Sequence, residues 1–406
     1  MQNSAHPNTK AQMSLDQCIK CNICQSHCPV AAVTDEFPGP KYTGPQAERF
    51  RAIETGSELS PMLCNGCGVC TSVCPNGVAI TDIITMAKAE ITKGGSEISL
   101  GQRLLNRPEL IGKMTGVVPS LSNAMLNSRP LRVVVEKILG IDRDAPLPKI
   151  KGRKFGKWFA GLDQPAGPEI AYFQGCSTEY YDPDVGMDTV KLLNALGLRV
   201  SIPTNLCCSL PMLSSGEVEA ARPKARALVD DLLPTAKSAN TIVATSTSCS
   251  MTLRSKYGTY LGMNDADTKS VGGAVMDLCE YLRENHSEQL RAMMKPLSRK
   301  VLYHGPCQLR SHQIGLPAVN LLRMIPEIDL HLSQADCCGI GGTYGYDVKK
   351  SATSKAIGRT LTEQAERVKP DVIVCDSETC RWNIEKNTGI ETIHPVQFLM
   401  QAISAK

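Results

Sequence analysis

Residues 335–345 read ADCCGIGGTYG, two adjacent cysteines at the mouth of a glycine-rich run. Such a stretch suits a vicinal disulfide, a phosphate loop with bystander sulfurs, or a pair of ligands to an inorganic centre. Its counterpart 130 residues earlier is NLCCSLP (205–211), and the match extends outward on both sides. AYFQGC (171–176) pairs with LYHGPC (302–307), and NTIVATSTSC (240–249) with DVIVCDSETC (371–380). Cys176, Cys207 and Cys249 thus recur as Cys307, Cys337 and Cys380, at offsets of 131, 130 and 131. One design is present twice in tandem.

Within the first copy, EIAYF (169–173), LRVSIP (198–203) and NTIVATS (240–246) read as strands rich in β-branched residues. Between them lie a helix through Val190, Leu193 and Leu196, ended by Gly197, and another from Ala220 to Leu233. The second copy repeats this with KVLYH, IDLHLS and DVIVCD as strands and LPAVNLLRMI and SATSKAIGRTLTEQAERV as helices. That alternation predicts α/β halves with parallel sheets and crossover helices. Each cysteine falls just past the carboxyl end of a strand, where open α/β sheets gather their ligands. Three loops per half therefore bring four thiols together: Cys176, Cys207, Cys208 and Cys249 in the first, Cys307, Cys337, Cys338 and Cys380 in the second. As a dinucleotide loop the glycine run is weak, because it lacks the G-x-G-x-x-G order opening a helix and a well-placed acidic residue about 20 positions on. A vicinal disulfide leaves Cys307 and Cys380 unexplained.

The chain holds eighteen cysteines in 406 residues. That is far below the roughly 8–10% of short secreted disulfide scaffolds. The start, MQNSAHPNTK, has no apolar run of the sort a signal peptide needs, and nowhere do about 18 consecutive apolar residues appear. The reading is a globular cytoplasmic protein of two or three domains, without a nucleic-acid partner, whose clustered cysteines serve metal or redox chemistry.

Two runs near the start sharpen this. CIKCNICQSHCP (18–29) places Cys18, Cys21, Cys24 and Cys28 before Pro29, and CNGCGVCTSVCP (64–75) places Cys64, Cys67, Cys70 and Cys74 before Pro75. Both follow C-x2-C-x2-C-x3-C-P, the ligand run of bacterial two-cluster ferredoxins, in which the fourth cysteine serves the other cluster. By that logic one [4Fe–4S] centre takes Cys18, Cys21, Cys24 and Cys74, and the other takes Cys64, Cys67, Cys70 and Cys28. A pair of structural zinc sites is the alternative, and two complete copies closed by Cys-Pro weigh against it.

Residues 101–160 carry no cysteine and hold twelve Lys or Arg against four acids, a net of +8 in a chain of net +4. PLRVVVEKIL sets Leu131, Val134, Val135 and Ile138 on one helical face and Arg132, Glu136 and Lys137 on the other. KIKGRKFGKWF then interleaves basic residues with Phe155, Trp158 and Phe159. This basic linker is expected to dock on an anionic leaflet, or else to be a solvated linker or a subunit interface. The expected divisions are a two-cluster head at 1–98, the linker at 99–165, and cysteine-rich domains at 166–295 and 296–406.

With PGPKYTGPQAER (38–49), VATSTSC (243–249) and CCGIGGTYG (337–345), the whole chain resembles the C-subunit family of anaerobic glycerol-3-phosphate dehydrogenases. The doubled Cys-Cys motif is similar to the CCG domain of heterodisulfide reductases and of iron–sulfur subunits of flavin-linked dehydrogenases. The resemblance implies two [4Fe–4S] clusters in the head and one or two further iron–sulfur clusters in the CCG domains. It also implies a FAD-containing catalytic partner oxidising sn-glycerol 3-phosphate, a second accessory subunit, and menaquinone as acceptor at the inner face of the cell membrane. In that division of labour the chain is a non-catalytic or quinone-reducing subunit, with no flavin or sugar-phosphate site of its own. The alternatives are the iron–sulfur subunit of a glycolate or lactate oxidising complex and a heterodisulfide-reductase-like thiol enzyme. Two departures from the motif bear on the last. Its closing C-x-x-C is reduced here to one cysteine, with Ser246 and Ser377 in place of the first, and Ser209 replaces the expected glycine. Cys375, two residues before Ser377, is a candidate fifth thiol for the second half. Cys279 reads as core, His304 as a satisfied polar residue or a tuner of a centre, and His27 as surface.

Overall fold

The computed structural model describes residues 14–51, 60–93, 98–151, 154–238 and 240–405. Two four-stranded parallel sheets form its frame. The first contains β1 (Glu169–Phe173), β2 (Arg199–Ser201), β3 (Ile242–Ala244) and β4 (Val275–Asp277) in the order β2-β1-β3-β4. The second contains β5 (Lys300–Tyr303), β6 (Asp329–Leu332), β7 (Val372–Val374) and β8 (Thr392–Ile393) in the order β6-β5-β7-β8. Registers match as well, with Ala171 opposite Ile242 in one sheet and Leu302 opposite Ile373 in the other.

The fourth strand of each sheet, three residues in one and two in the other, was not foreseen from sequence, where only three per half stood out. So short a strand shows no period of its own. It is marked instead by the next helix, capped by Asp277 with Glu280 in one half and by His394 with Gln397 in the other.

Strand faces alternate with period two, and both are buried, as parallel sheets require. Tyr172 and Val243 of the first sheet join Val301, Tyr303 and Val374 of the second in one core shared by the two halves. Ala171, Phe173 and Ala244 turn to an outer layer built on the helix Val218–Lys237. Leu302, Ile373 and Cys375 face the corresponding layer of the second half.

The head is helical, and its helix Ile80–Thr92 is buried along most of its length. It is fastened to the first half by the buried pair Lys256 and Asp82, 3.0 Å apart, and by Lys88, whose ammonium donates to the Cys64 and Ser214 carbonyls at 2.7 and 3.2 Å.

The linker differs from its sequence reading in one respect that matters. Phe155 is fully buried, edge-on to Tyr172 with ring centroids 6.0 Å apart, and Trp158 and Phe159 pack against the shared core. Phe155 is spent on folding, and Trp158 and Phe159 commit part of their surface to the same core. Lys151 is likewise engaged, donating to Asp182 and Asp184 at 3.2 and 2.7 Å, while Arg153 lies outside the described residues. The apolar face expected for the helix Arg129–Leu139 divides. Val135 packs toward the second half, whereas Val134 and Ile138 are exposed. Phe155→Ala is therefore expected to lower stability by about 3–5 kcal/mol, the usual cost of a large core truncation, measured by thermal or denaturant unfolding. A loss below about 1 kcal/mol would contradict this placement.

Candidate metal centres

The head brings its eight cysteines into two sets. Cys18, Cys21, Cys24 and Cys74 line one small cavity with Pro75 and Ile80. The Cys24 thiol is pushed up by burial and then by Cys18, Cys74 and Cys21, so these four sulfurs share one electrostatic neighbourhood. Cys28 instead lies with the second run. Burial raises it to about 11, with Cys64 adding to the effect, and burial followed by Cys64 and other thiols raises Cys70.

The loop geometry has a local cause. Asn22 (φ 69°) and Gly68 (φ 82°) are left-handed at matching places in the two runs, each starting the short helix that carries the third cysteine. Asparagine tolerates this conformation and glycine adopts it freely. Gly68 has a second reason to be glycine, since a Cβ there would stand 2.4 Å from the Ser311 hydroxyl of the second half. Amide groups converge on sulfur, with Ala31 N–H donating to Cys28 Sγ at 3.5 Å and Gly66 N–H to Cys64 Sγ at 3.4 Å.

In the first half Cys207 Sγ lies 3.6 Å from Cys176 Sγ, and Cys208 Sγ lies 3.3 Å from Cys249 Sγ. In the second half the thiols form a hydrogen-bonded chain. Cys307 and Cys338 hold Cys337 below its ordinary value, and Cys338 and Cys375 do the same for Cys380. All eighteen cysteines are free, so the Cys337–Cys338 pair is not a disulfide. The two quartets face one cavity of about 200 Å³, which Gly66 and Gly68 of the head also line.

Ser209 departs from the motif without altering the turn. Its φ is 60°, and its N–H donates to Cys207 Sγ at 3.4 Å, as the N–H of Gly339 (φ 97°) donates to Cys337 Sγ at 3.3 Å. Gly339 is obligatory for a different reason. A Cβ there would stand 2.2 Å from the Ser354 carbonyl oxygen.

The head and the second quartet are neighbours. Cys67, Cys307 and Cys337 belong to one buried cluster, and Gln308 donates to the Gly66 carbonyl at 3.4 Å. The cysteine sets thus run in file from the surface, where Cys21 is exposed, through Cys67 and Cys337 to the cavity.

Of the residues outside the quartets, Cys375 is buried with its thiol against Cys380, a fifth sulfur beside the second set. Its counterpart in the first half is Ala244. Glu378 was missed from sequence. It stands in the second half but adds to the charge around Cys176 and Cys249 of the first, and burial pushes its own carboxyl up. The only sequence signal was SETC in one repeat against STSC in the other. His304 is half satisfied, with Nδ1 against the Ser333 hydroxyl at 3.2 Å and Nε2 without a partner. His27 is exposed and Cys279 is buried, as read from sequence.

Mostly buried thiols gathered in sets of four, several of them receiving backbone N–H bonds, are the donor arrangement that iron–sulfur clusters require. Comparison with known proteins agrees. Residues 14–78 match the 4Fe–4S dicluster domain, and residues 170–254 and 301–385 match the cysteine-rich CCG domain. The chain is 25% identical to the B subunit of the CoM/CoB fumarate reductase of Methanothermobacter marburgensis, covering 94% of this chain and 70% of that one. It is 24% identical to the glycolate oxidase iron–sulfur subunit of Escherichia coli K12, covering 97% and 95%. The C subunit of the anaerobic glycerol-3-phosphate dehydrogenase of Escherichia coli K12 shares 33% identity, covering 96% of this chain and 99% of that one. With a 4Fe–4S dicluster domain at its head, two CCG domains behind it and 33% identity to that C subunit over nearly the whole of both chains, the chain belongs to the C-subunit family of anaerobic glycerol-3-phosphate dehydrogenases.

Proposed function

We propose that the protein is the iron–sulfur electron-transfer subunit of a quinone-linked glycerol-3-phosphate dehydrogenase. It receives electrons from a FAD-containing subunit that oxidises sn-glycerol 3-phosphate, with a second accessory subunit in the complex, and passes them to menaquinone at the inner face of the cell membrane. The observation that carries the reading is the file of cysteine sets from the exposed Cys21 to the buried cavity between the halves.

In this reading Cys18, Cys21, Cys24 and Cys74 hold one [4Fe–4S] cluster and Cys64, Cys67, Cys70 and Cys28 the other. One or two further iron–sulfur clusters sit on Cys176, Cys207, Cys208 and Cys249 and on Cys307, Cys337, Cys338 and Cys380. Bound clusters supply one-electron redox capacity, suited to a donor that releases electrons in pairs. The chain's own residues do the rest. Val69, Val78, Ile83 and Ile84 exclude water from the head, and the N–H groups of Ala31, Gly66, Ser209 and Gly339 stabilise charge on sulfur. Ser246 and Ser377, standing where a thiol enzyme of this type has cysteine, favour electron transfer over disulfide chemistry.

Membrane contact is assigned to a different part of the linker from the one its charge pattern suggested. The helices Pro108–Thr115 and Pro119–Asn127 are joined by a short turn, around which Met114 (65%), Val117 (76%) and Leu121 (58%) are exposed, with the exposed Lys113 next to Met114 in the chain. No helix among the described residues is long and apolar enough to cross a membrane, so this contact is peripheral. The other face of the first helix, through Pro108 and Ile111, lines the cysteine cavity. Docking of this turn therefore gives a lipid-borne quinone a short approach.

The deciding test is the native complex, captured through this chain and assayed with glycerol 3-phosphate, glycolate and lactate against a quinone analogue. Turnover with glycerol 3-phosphate alone is expected. Turnover with glycolate or lactate instead would move the chain to the other dehydrogenase class.

A further inference from the structure

The duplication creates two joints between the halves, and they are built differently. In each half the residue at the end of the fourth strand caps the next helix: Asp277 accepts from the N–H of Cys279 at 2.9 Å, and His394 from the N–H of Val396 at 3.1 Å. Each cap then meets the residue beyond the third strand of the opposite half, Thr245 or Asp376, which occupy matching repeat positions. At the first joint His394 Nε2 lies 2.9 Å from the Thr245 carbonyl oxygen, a neutral and satisfied contact. At the second, Asp277 faces Asp376, and Cys279 adds a thiol, with one ligand atom of each within 4.8 Å of the others. The fold can close this joint with an ordinary hydrogen bond, so the acidic version is not demanded by packing.

The acidic joint is dry. Asp277, Cys279 and Asp376 are each at most 2% exposed. The Tyr303 hydroxyl donates to Asp376 Oδ2 at 2.7 Å, and the Thr247 hydroxyl to Asp277 Oδ2 at 3.1 Å. Asp376 Oδ1 has no partner. Among the described residues no lysine or arginine pairs with either acid, and Arg381, whose charge reaches Asp376, is committed to Asp182 at 2.9 Å. Burial pushes both carboxyls up, and the charge of Asp376 raises Asp277 further. Two carboxyls in so dry a place need a bound proton or a bound cation.

We propose that Asp277, Cys279 and Asp376 hold a structural divalent cation of the zinc class that ties the end of β4 to the end of β7. Two carboxylate oxygens and a thiolate suit zinc, which accepts mixed oxygen and sulfur ligands. The site is separate from the cysteine quartets, since none of its three residues lines their cavity. It bridges halves that otherwise meet through apolar packing, hydrogen bonds and ion pairs.

The test is metal analysis of the full chain, purified anaerobically with its iron loaded. About one zinc per chain is expected beside the iron. Asp376→Asn and Cys279→Ala should each remove that zinc while leaving iron and sulfide unchanged. Protein grown on cobalt should show a thiolate-to-cobalt absorption band that Cys279→Ala abolishes. A wild-type chain without zinc that also takes up no cobalt overturns the proposal, and the two carboxyls then share a proton. Zinc that persists in both variants also overturns it, because the metal then occupies the cysteine quartets. Should the Asp376 variant fail to fold, the wild-type zinc count and Cys279→Ala still decide.

Discussion

Cys74→Ser is expected to remove the cluster associated with Cys18, Cys21 and Cys24 while the set of Cys64, Cys67, Cys70 and Cys28 keeps its iron. Cys74 closes the second run in sequence, yet it shares its cavity with the first three cysteines of the other run, and Cys28 is set against Cys64. Each run thus exports its fourth thiol. Iron should fall by about four atoms per chain, and one of the two reduced-cluster signals in the electron paramagnetic resonance spectrum should vanish. Quinone-linked turnover should drop by more than tenfold, since the lost set is the one nearest the surface. Cys28→Ser should spare that signal and remove the other. If Cys74→Ser left the signal of the Cys18, Cys21 and Cys24 set intact and abolished the second, the exchange of fourth ligands would be wrong.

The paired substitution of Val117 and Leu121 by aspartate is expected to weaken binding to anionic vesicles by ~100-fold or more. Each apolar side chain moved from water to lipid contributes about 1.5–3 kcal/mol, and roughly 1.4 kcal/mol corresponds to a factor of ten. Added negative charge works against an anionic surface as well. Both side chains are exposed, so folding and reduction by a soluble dye should be unaffected, while quinone-linked turnover falls with vesicle binding. Changing Lys149, Lys154 and Lys157 to glutamine should cost less, because this segment is anchored in the core by the buried Phe155 and a basic residue contributes its roughly 1 kcal/mol only when held against the lipid surface. Vesicle binding that survives the aspartate pair and fails in the glutamine variant would return the contact to the basic segment. Binding unchanged in both would make the exposed turn a seat for another subunit.

Much of the architecture was legible in the chain because it depends on short-range spacing. Cysteines three residues apart force a tight loop wherever they occur. Apolar, β-prone runs of five to seven residues alternating with helical stretches leave parallel pairing as the economical topology. The internal repeat made the two halves predictable from each other. The repeat positions of Cys176, Cys207, Cys208 and Cys249 put them beyond the carboxyl ends of strands, as read, although Cys176 and Cys249 stand in short helices there and only Cys207 and Cys208 on a loop.

Other features depend on which faces meet. The aromatics Phe155, Trp158 and Phe159 carry no local mark that tells a lipid anchor from a plug in a core, and the shared core of the two sheets made them the latter. The fourth strands are too short to show a period and exist because a neighbouring edge was there to pair with. Glu378 beside the first quartet and Asp277 against Asp376 are meetings between the two repeats, of segments about one hundred to two hundred residues apart. The sequence by itself determined the kinds of ligand, their local spacing and the repeated α/β plan, since these follow from bond geometry and nearest-neighbour preference. Only the tertiary structure decided which thiols keep company, which apolar side chains remain exposed and which acids are left without a countercharge, because these depend on the docking of surfaces that no local pattern encodes.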